Sequence, residues 1–189
     1  MYSITNKSVK LMQRGFTLVE LLIVVIILAI LAAIVIPQFS GATVDAQESA
    51  LNSNLNGLRS AIELYKTQHN GQYPGAVAAT GATCTFGAAA AAGATAGTNL
   101  AMIAQLTNYS SVTGTTCTGA DPTTKLGPYL RGGMPAEPIN NKADVVATAA
   151  GIPLAPAAAT GGWAYDTKTG QIVMNSNALD SKLVAYSAR

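Results

Sequence analysis

The chain has 189 residues, 49% of them hydrophobic and 11% charged, with 11 basic and 9 acidic side chains for a formal charge of +2. One histidine and two cysteines leave no ligand set for a Cys/His metal centre, and the near-neutral balance lacks the basic patch by which nucleic-acid binders hold phosphates. No Ser/His/Asp set, no G-x-S-x-G and no indicated pair of carboxylates points to an enzyme.

Residues 1–15 carry three cations, Lys7, Lys10 and Arg14, and no acid. Without them the remaining chain has eight basic and nine acidic residues, or −1. From Phe16 to Ile36 only Thr17 and Glu20 are polar. A helix over that run would be about 31 Å long, which matches a bilayer core and predicts a membrane span. The basic residues before it place the N-terminus in the cytoplasm and send the C-terminal part across the membrane. A cleaved secretory signal fits less well, because its apolar core is shorter than the unbroken 16 residues Leu21–Ile36 and no A-x-A site follows. Glu20 costs about 3 kcal/mol near mid-bilayer, so an acid there suggests a function. Pro37 ends the run and is expected to kink the helix.

The order G-F-T-L-V-E, an apolar run and I-P resembles the prepilin signature of type IV pilins and type II secretion pseudopilins. That resemblance implies a leader, residues 1–15, cut between Gly15 and Phe16 by a prepilin peptidase that also methylates the new amine of Phe16. It implies that Glu20 meets the Phe16 amine of a neighbouring subunit when helices pack into a homo-oligomeric helical filament. It further implies an inner-membrane assembly platform, an assembly ATPase and minor pilins as partners. Before assembly the chain would sit in the bacterial inner membrane with its head in the periplasm; afterwards it would lie in a periplasmic or extracellular filament.

Residues 16–37 are thus read as the membrane and filament-core half of one helix, and 38–73 as its amphipathic half. Leu51, Leu55, Leu58, Ile62 and Tyr65 recur at steps of four and three, one stripe to press against a globular head, residues 74–189. Asn70-Gly71 is a C-cap pair, and Tyr73-Pro74 continues extended. L-Y-K-T-Q-H-N-G-Q-Y-P resembles the helix end of the major pseudopilin. His69 reads as a solvated residue at that end. Residues 76–98 form an Ala/Gly/Thr loop with no charge and no phosphate-binding G-K-[ST]. Asn99–Tyr109 predicts a short helix. Asn108-Tyr109-Ser110 has the glycosylation triplet, a pattern common by chance. G-P-Y-L, M-P and E-P-I-N in 125–142 mark turns and again look like the pseudopilin pattern. Residues 143–160 read as a second alanine-rich loop. Trp163–Met174 predicts a hairpin turning at Asp166–Gly170. Leu179, Leu183 and Tyr186 in the tail could cover the sheet edge.

The expected fold is therefore α+β: a long N-terminal helix on a small antiparallel sheet with long loops. Cys84 and Cys117, placed by the topology in an oxidising compartment, are expected to form a disulfide. No cofactor is required. Major pseudopilins bind calcium in a C-terminal loop, and Asp166 and Asp180 are weak candidates here beside Asn175, Ser176, Asn177 and Ser181. The L-Y-K…G-Q-Y-P and G-P-Y-L stretches favour a type II secretion pseudopilin; the cysteines and alanine-rich loops favour a type IV pilin for adhesion, motility or DNA uptake. A DNA-capturing pilin would need a local patch such as Lys125, Arg131 and Lys142, against an overall charge of −1 in the processed chain.

Overall fold

The computed structural model describes residues 16–81, 83–89 and 93–189, with nothing stated of the side chains of residues 35–40. Gly15, the leader and part of the five-alanine run fall outside the described residues. The contacts divide the chain into two units, one ending at Thr43 and the other running Val44–Arg189.

Helix α1 spans Leu18–Gln68, 51 residues. In the first unit it is exposed on every side from Leu18 to Ile34. Among the described residues no helix is long and apolar enough to cross a membrane. The expected span needs residues 35 and 36, whose side chains lie outside the description. Helical structure continues through position 37, while the Pro37 ring, and with it the expected kink, is likewise outside it.

In the second unit the helical stripe is the backbone of the core. Leu51, Leu55, Leu58, Ile62 and Tyr65 are each no more than 1% exposed. Side chains of this size contribute roughly 1.5–3 kcal/mol each when fully buried. Beyond Gln68 the chain leaves the helix at Asn70 (φ 55°) and Gly71 (φ 79°), and the Gly71 N–H donates back to the Lys66 carbonyl. Two successive left-handed residues close the helix as the Asn-Gly pair predicted.

Helix α2, Asn99–Thr107, starts where the Thr98 hydroxyl accepts the Ala101 N–H at 3.2 Å. It packs Met102 and Leu106 into the core. Its buried Gln105 accepts the Gly75 N–H and donates to the carbonyls of Val77 and Gly114, so one side chain fixes two loops.

Strands β1 (Tyr109–Ser110) and β2 (Thr116–Cys117) form a short antiparallel pair. The main sheet contains β3 (Val145–Thr148), β4 (Trp163–Asp166) and β5 (Ile172–Met174) in that order. The β4–β5 hairpin has the predicted partners: Trp163 faces Met174 and Tyr165 faces Ile172. Its turn is held by Asp166, whose Oδ1 accepts the N–H groups of Lys168 and Thr169. Gly170 (φ 71°) closes it against the Tyr73 ring, where a Cβ would come within 2.2 Å of Cε1, so only glycine fits.

The sheet departs from expectation at β3. Residues 145–148 are a strand, not loop, and they pair parallel with β4, which makes the sheet mixed. The connection 149–162 supplies the long crossover that a parallel pair requires. β3 escaped the sequence because it is short and at the sheet edge, with Val145 buried and Val146 57% exposed. β4 is buried throughout, as a central strand should be.

Residues 135–138 strap the sheet to α1. Pro135 accepts the Trp163 indole N–H, Ala136 accepts from Asn54 and Pro138 from Gln47. The buried Glu137 carboxylate accepts the N–H groups of Ile139 and Asn140. The Tyr129 and Leu130 N–H groups of G-P-Y-L both donate to the Leu106 carbonyl.

Candidate functional site

The candidate site is the start of α1. Phe16 and Thr17 precede the helix, and Phe16 is 77% exposed. Thr17 and Glu20 cap it reciprocally. The Thr17 hydroxyl accepts the Glu20 N–H at 3.2 Å, and Glu20 Oε2 accepts the Thr17 N–H at 3.4 Å. This is a capping box, written in the sequence as T-x-x-E, and it serves two of the amide donors that a helix start leaves unpaired. The carboxylate also lies at the positive end of the helix dipole. Both bonds to Oε2 are long and solvent-exposed, so exchanging them for a stronger cationic partner costs little.

Beyond Glu20 the helix is apolar on all sides. Leu21, Leu22, Ile23, Val24, Val25 and Ile26 are 48–62% exposed. A helix of that pattern belongs inside lipid or inside a larger assembly. It offers an apolar surface with one ionisable group, Glu20, set at its N-terminal end.

Several polar groups of the head are held in structural bonds. Cys84 and Cys117 form a disulfide with Cα atoms 5.8 Å apart, across 33 positions of sequence. Asp121 reinforces that loop: it accepts the Thr85 N–H and then those of Thr123, which hold its carboxyl down at about 2. His69 is not solvated as expected. It is 1% exposed and stacks on Tyr65 at 3.6 Å; its ring nitrogens lie 2.8 Å from the Tyr65 carbonyl and 2.9 Å from Ser110 Oγ. Burial pushes its pKa below the usual histidine value, so it sits there neutral. One signal was present in the sequence: His69 extends the apolar stripe by a further step of four from Tyr65, and Glu48 extends it by three before Leu51.

The calcium candidates are placed apart and engaged otherwise. Burial of Asp166 opposes its charge, but N–H groups from Gly151, Thr169 and Lys168 outweigh that and keep the carboxyl below the usual range. Asp180 accepts the Val184 and Lys182 N–H groups on one oxygen and the Arg189 guanidinium on the other. Asn175 and Asn177 are joined instead to the 157–162 loop. No group of three or more His, Cys, Asp or Glu that could hold a metal occurs among the described residues. Asp166 and Asp180 thus have separate partners and, among the described residues, do not join in one such group.

The tail meets the sheet edge in part, with the 186–188 turn against β5. Tyr186 is buried, but Leu179 is 57% and Leu183 78% exposed. Of the three cations proposed as a patch, Lys125 and Arg131 are exposed, while Lys142 Nζ donates to the Thr160 carbonyl.

Residues 10–36 match the family described as the prokaryotic N-terminal methylation motif. Over 62 residues, 33% of this chain, the sequence is 40% identical to the type II secretion system core protein G of Pectobacterium carotovorum subsp. carotovorum, covering 39% of that protein. The core protein G of Klebsiella pneumoniae is also 40% identical over 62 residues, 44% of its length. The type IV major fimbrial protein FimA of Dichelobacter nodosus is 50% identical over 54 residues, 29% of this chain and 35% of that one. The chain thus spans less than half the length of these relatives. No solved structure matches it. The resemblance to pilins and pseudopilins carried by G-F-T-L-V-E is borne out: the chain bears the N-terminal methylation motif and is similar, over about a third of its length, to a pseudopilin and a fimbrial subunit.

Proposed function

We propose that this chain is a structural subunit of a type IV pilus-like helical filament, and specifically a type II secretion pseudopilin. The observation that carries the reading is the all-round exposed apolar arm of residues 18–34, led by one carboxylate at Glu20 and lying within the methylation motif. In this reading a prepilin peptidase cuts between Gly15 and Phe16 and methylates the new amine. The arm then anchors the subunit in the inner membrane, with the N-terminus cytoplasmic and the head periplasmic. The Cys84–Cys117 disulfide is in keeping with an oxidising compartment for the head.

On assembly the arm leaves lipid for a bundle of identical arms. Taking a carboxylate into such a core is costly unless a cation meets it. The Phe16 amine of the neighbouring subunit supplies that charge and so selects the register of each incoming copy. The platform, the ATPase and minor pilins belong to the same proposal. The head needs no catalytic group for this role, and the chain is read as a non-enzyme.

A type IV pilin is the second reading, favoured by the 50% identity to a fimbrial protein. Intact mass and N-terminal sequencing of a sheared surface fraction and of the membrane pellet separate the two. A chain starting at N-methylated Phe16 in the membrane alone supports a pseudopilus. The same species in the sheared fraction supports a surface pilus. An intact Met1 in both overturns the filament reading.

A further inference from the structure

Glu48, Asp180 and Arg189 form a cluster within the Val44–Arg189 unit that the filament reading leaves unused. Arg189 Nη2 lies 2.8 Å from Glu48 Oε2 and 2.5 Å from Asp180 Oδ2. The three side chains are only 14%, 9% and 3% exposed. Each carboxylate oxygen has a donor. Glu48 Oε1 accepts the Ser181 N–H at 2.7 Å, and Oε2 accepts the Ser181 hydroxyl at 3.0 Å in addition to Arg189. Asp180 Oδ1 accepts the N–H groups of Lys182 and Val184, each at 2.8 Å, and Oδ2 accepts Arg189. The Arg59 guanidinium binds the main-chain oxygen of Arg189 and the Ile172 carbonyl of β5, and the Tyr186 ring packs 5.6 Å from the Arg189 guanidinium carbon.

We propose that Arg189 is an internal cation that fastens the 178–189 segment to α1, doing by side-chain charge what a divalent ion does in a calcium-dependent loop. Two carboxylates from distant parts of the chain, Glu48 and Asp180, converge on one positive group, as they would on a metal. Together the four carboxylate oxygens accept six hydrogen bonds from N–H, O–H and guanidinium donors. A calcium ion would have to displace the guanidinium and four donors, and it would find only two carboxylates. One guanidinium nitrogen, Nη2, meets both carboxylates, and Nη1 lies 3.5 Å from the Glu48 carbonyl. The clamp also holds a strained turn. Leu183 has φ 62°, a conformation that a bulky side chain rarely adopts, and the N–H groups on both sides of it are fixed to Asp180. The head of this chain accordingly keeps its C-terminal segment ordered without calcium.

Amide hydrogen exchange on the full chain in detergent tests this in two arms. In the wild type, millimolar calcium and a chelator are expected to leave exchange over 178–188 unchanged. Slowing by calcium, or acceleration by the chelator, would overturn the proposal. In Arg189→Gln the same amides are expected to exchange at least tenfold faster while the β4–β5 amides keep their protection, with Arg189→Lys intermediate. Unchanged exchange over 178–188 in Arg189→Gln would also overturn it. The wild-type arm needs no variant to fold, and neither arm depends on leader cleavage or assembly.

Discussion

Along one helix, residues 18–34 leave every side chain exposed, whereas Leu51, Leu55, Leu58, Ile62 and Tyr65 are each buried to 1% or less. The difference lies in periodicity. The distal half has a single apolar stripe, and the head supplied by the same chain covers it. The proximal half is apolar on every face, so no one-sided packing can cover it. A stripe is satisfied within a molecule; an apolar cylinder needs lipid or other copies of itself. The polar residues follow the same division. Among the described residues Glu20 is engaged by Thr17, while Glu48, at the head's edge of the stripe, is held by Ser181 and Arg189.

The largest effect that would break this contrast concerns leucines. Leu58→Ala is expected to cost the head about 2–5 kcal/mol, whereas Leu28→Ala leaves the head's denaturant midpoint in place and acts only on anchoring and assembly. Chemical denaturation followed at Trp163 reads both. Equal effects from the two would mean that the halves are not energetically distinct.

Next is the disulfide. Cys84→Ser/Cys117→Ser is expected to lower head stability by about 3–4 kcal/mol on the chain-entropy model for its 33-residue separation, measured by the same denaturation. The arm's membrane partition should not change.

Acid sharpens the comparison further, because the head holds shifted groups. His69 is depressed from 6.5 by burial, and Asp121 from 3.8 to about 2, first by the Thr85 N–H. A depressed folded pKa means that the unfolded state binds the proton first, so stability falls as pH falls. Head stability should begin to drop below about pH 6.5, with a further loss between about pH 4 and 2. Asp121→Asn should shrink the lower stage, which Asp166 and Asp180 share, in a pH series of thermal melts, and His69→Gln should flatten the upper one.

The smallest effect is at Tyr65, whose buried hydroxyl has no hydrogen-bond partner among the described residues. Tyr65→Phe should raise stability by roughly 1 kcal/mol, or at least cost nothing, since it removes an unpaired polar atom from the core.

Patterns that repeat locally could be read from the sequence. The apolar run, the stripe, the Asn-Gly stop and the Trp163–Met174 hairpin each repeat or punctuate within a few residues. The T-x-x-E capping box was equally local. Features made by distant partners could not be read. β3 exists because 145–148 lies beside Trp163–Asp166, and Asp180 meets Glu48 only through Arg189. His69 lies between these cases: its spacing placed it on the buried stripe, but its polarity suggested solvent until Ser110 appeared as its partner.

The central claim, that the proximal arm is covered by lipid before assembly and by copies of itself afterwards, is tested most directly by thiol labelling. The two cysteines are paired with each other, so an introduced one is the reactive thiol. Leu28→Cys and, as an exposed head control, Ser53→Cys would be treated with a membrane-impermeant maleimide in membranes and in filaments. The account predicts rapid labelling of Ser53→Cys and essentially none of Leu28→Cys in both preparations. Labelling of Leu28→Cys as fast as the control would mean that the arm stands in water, and would contradict it.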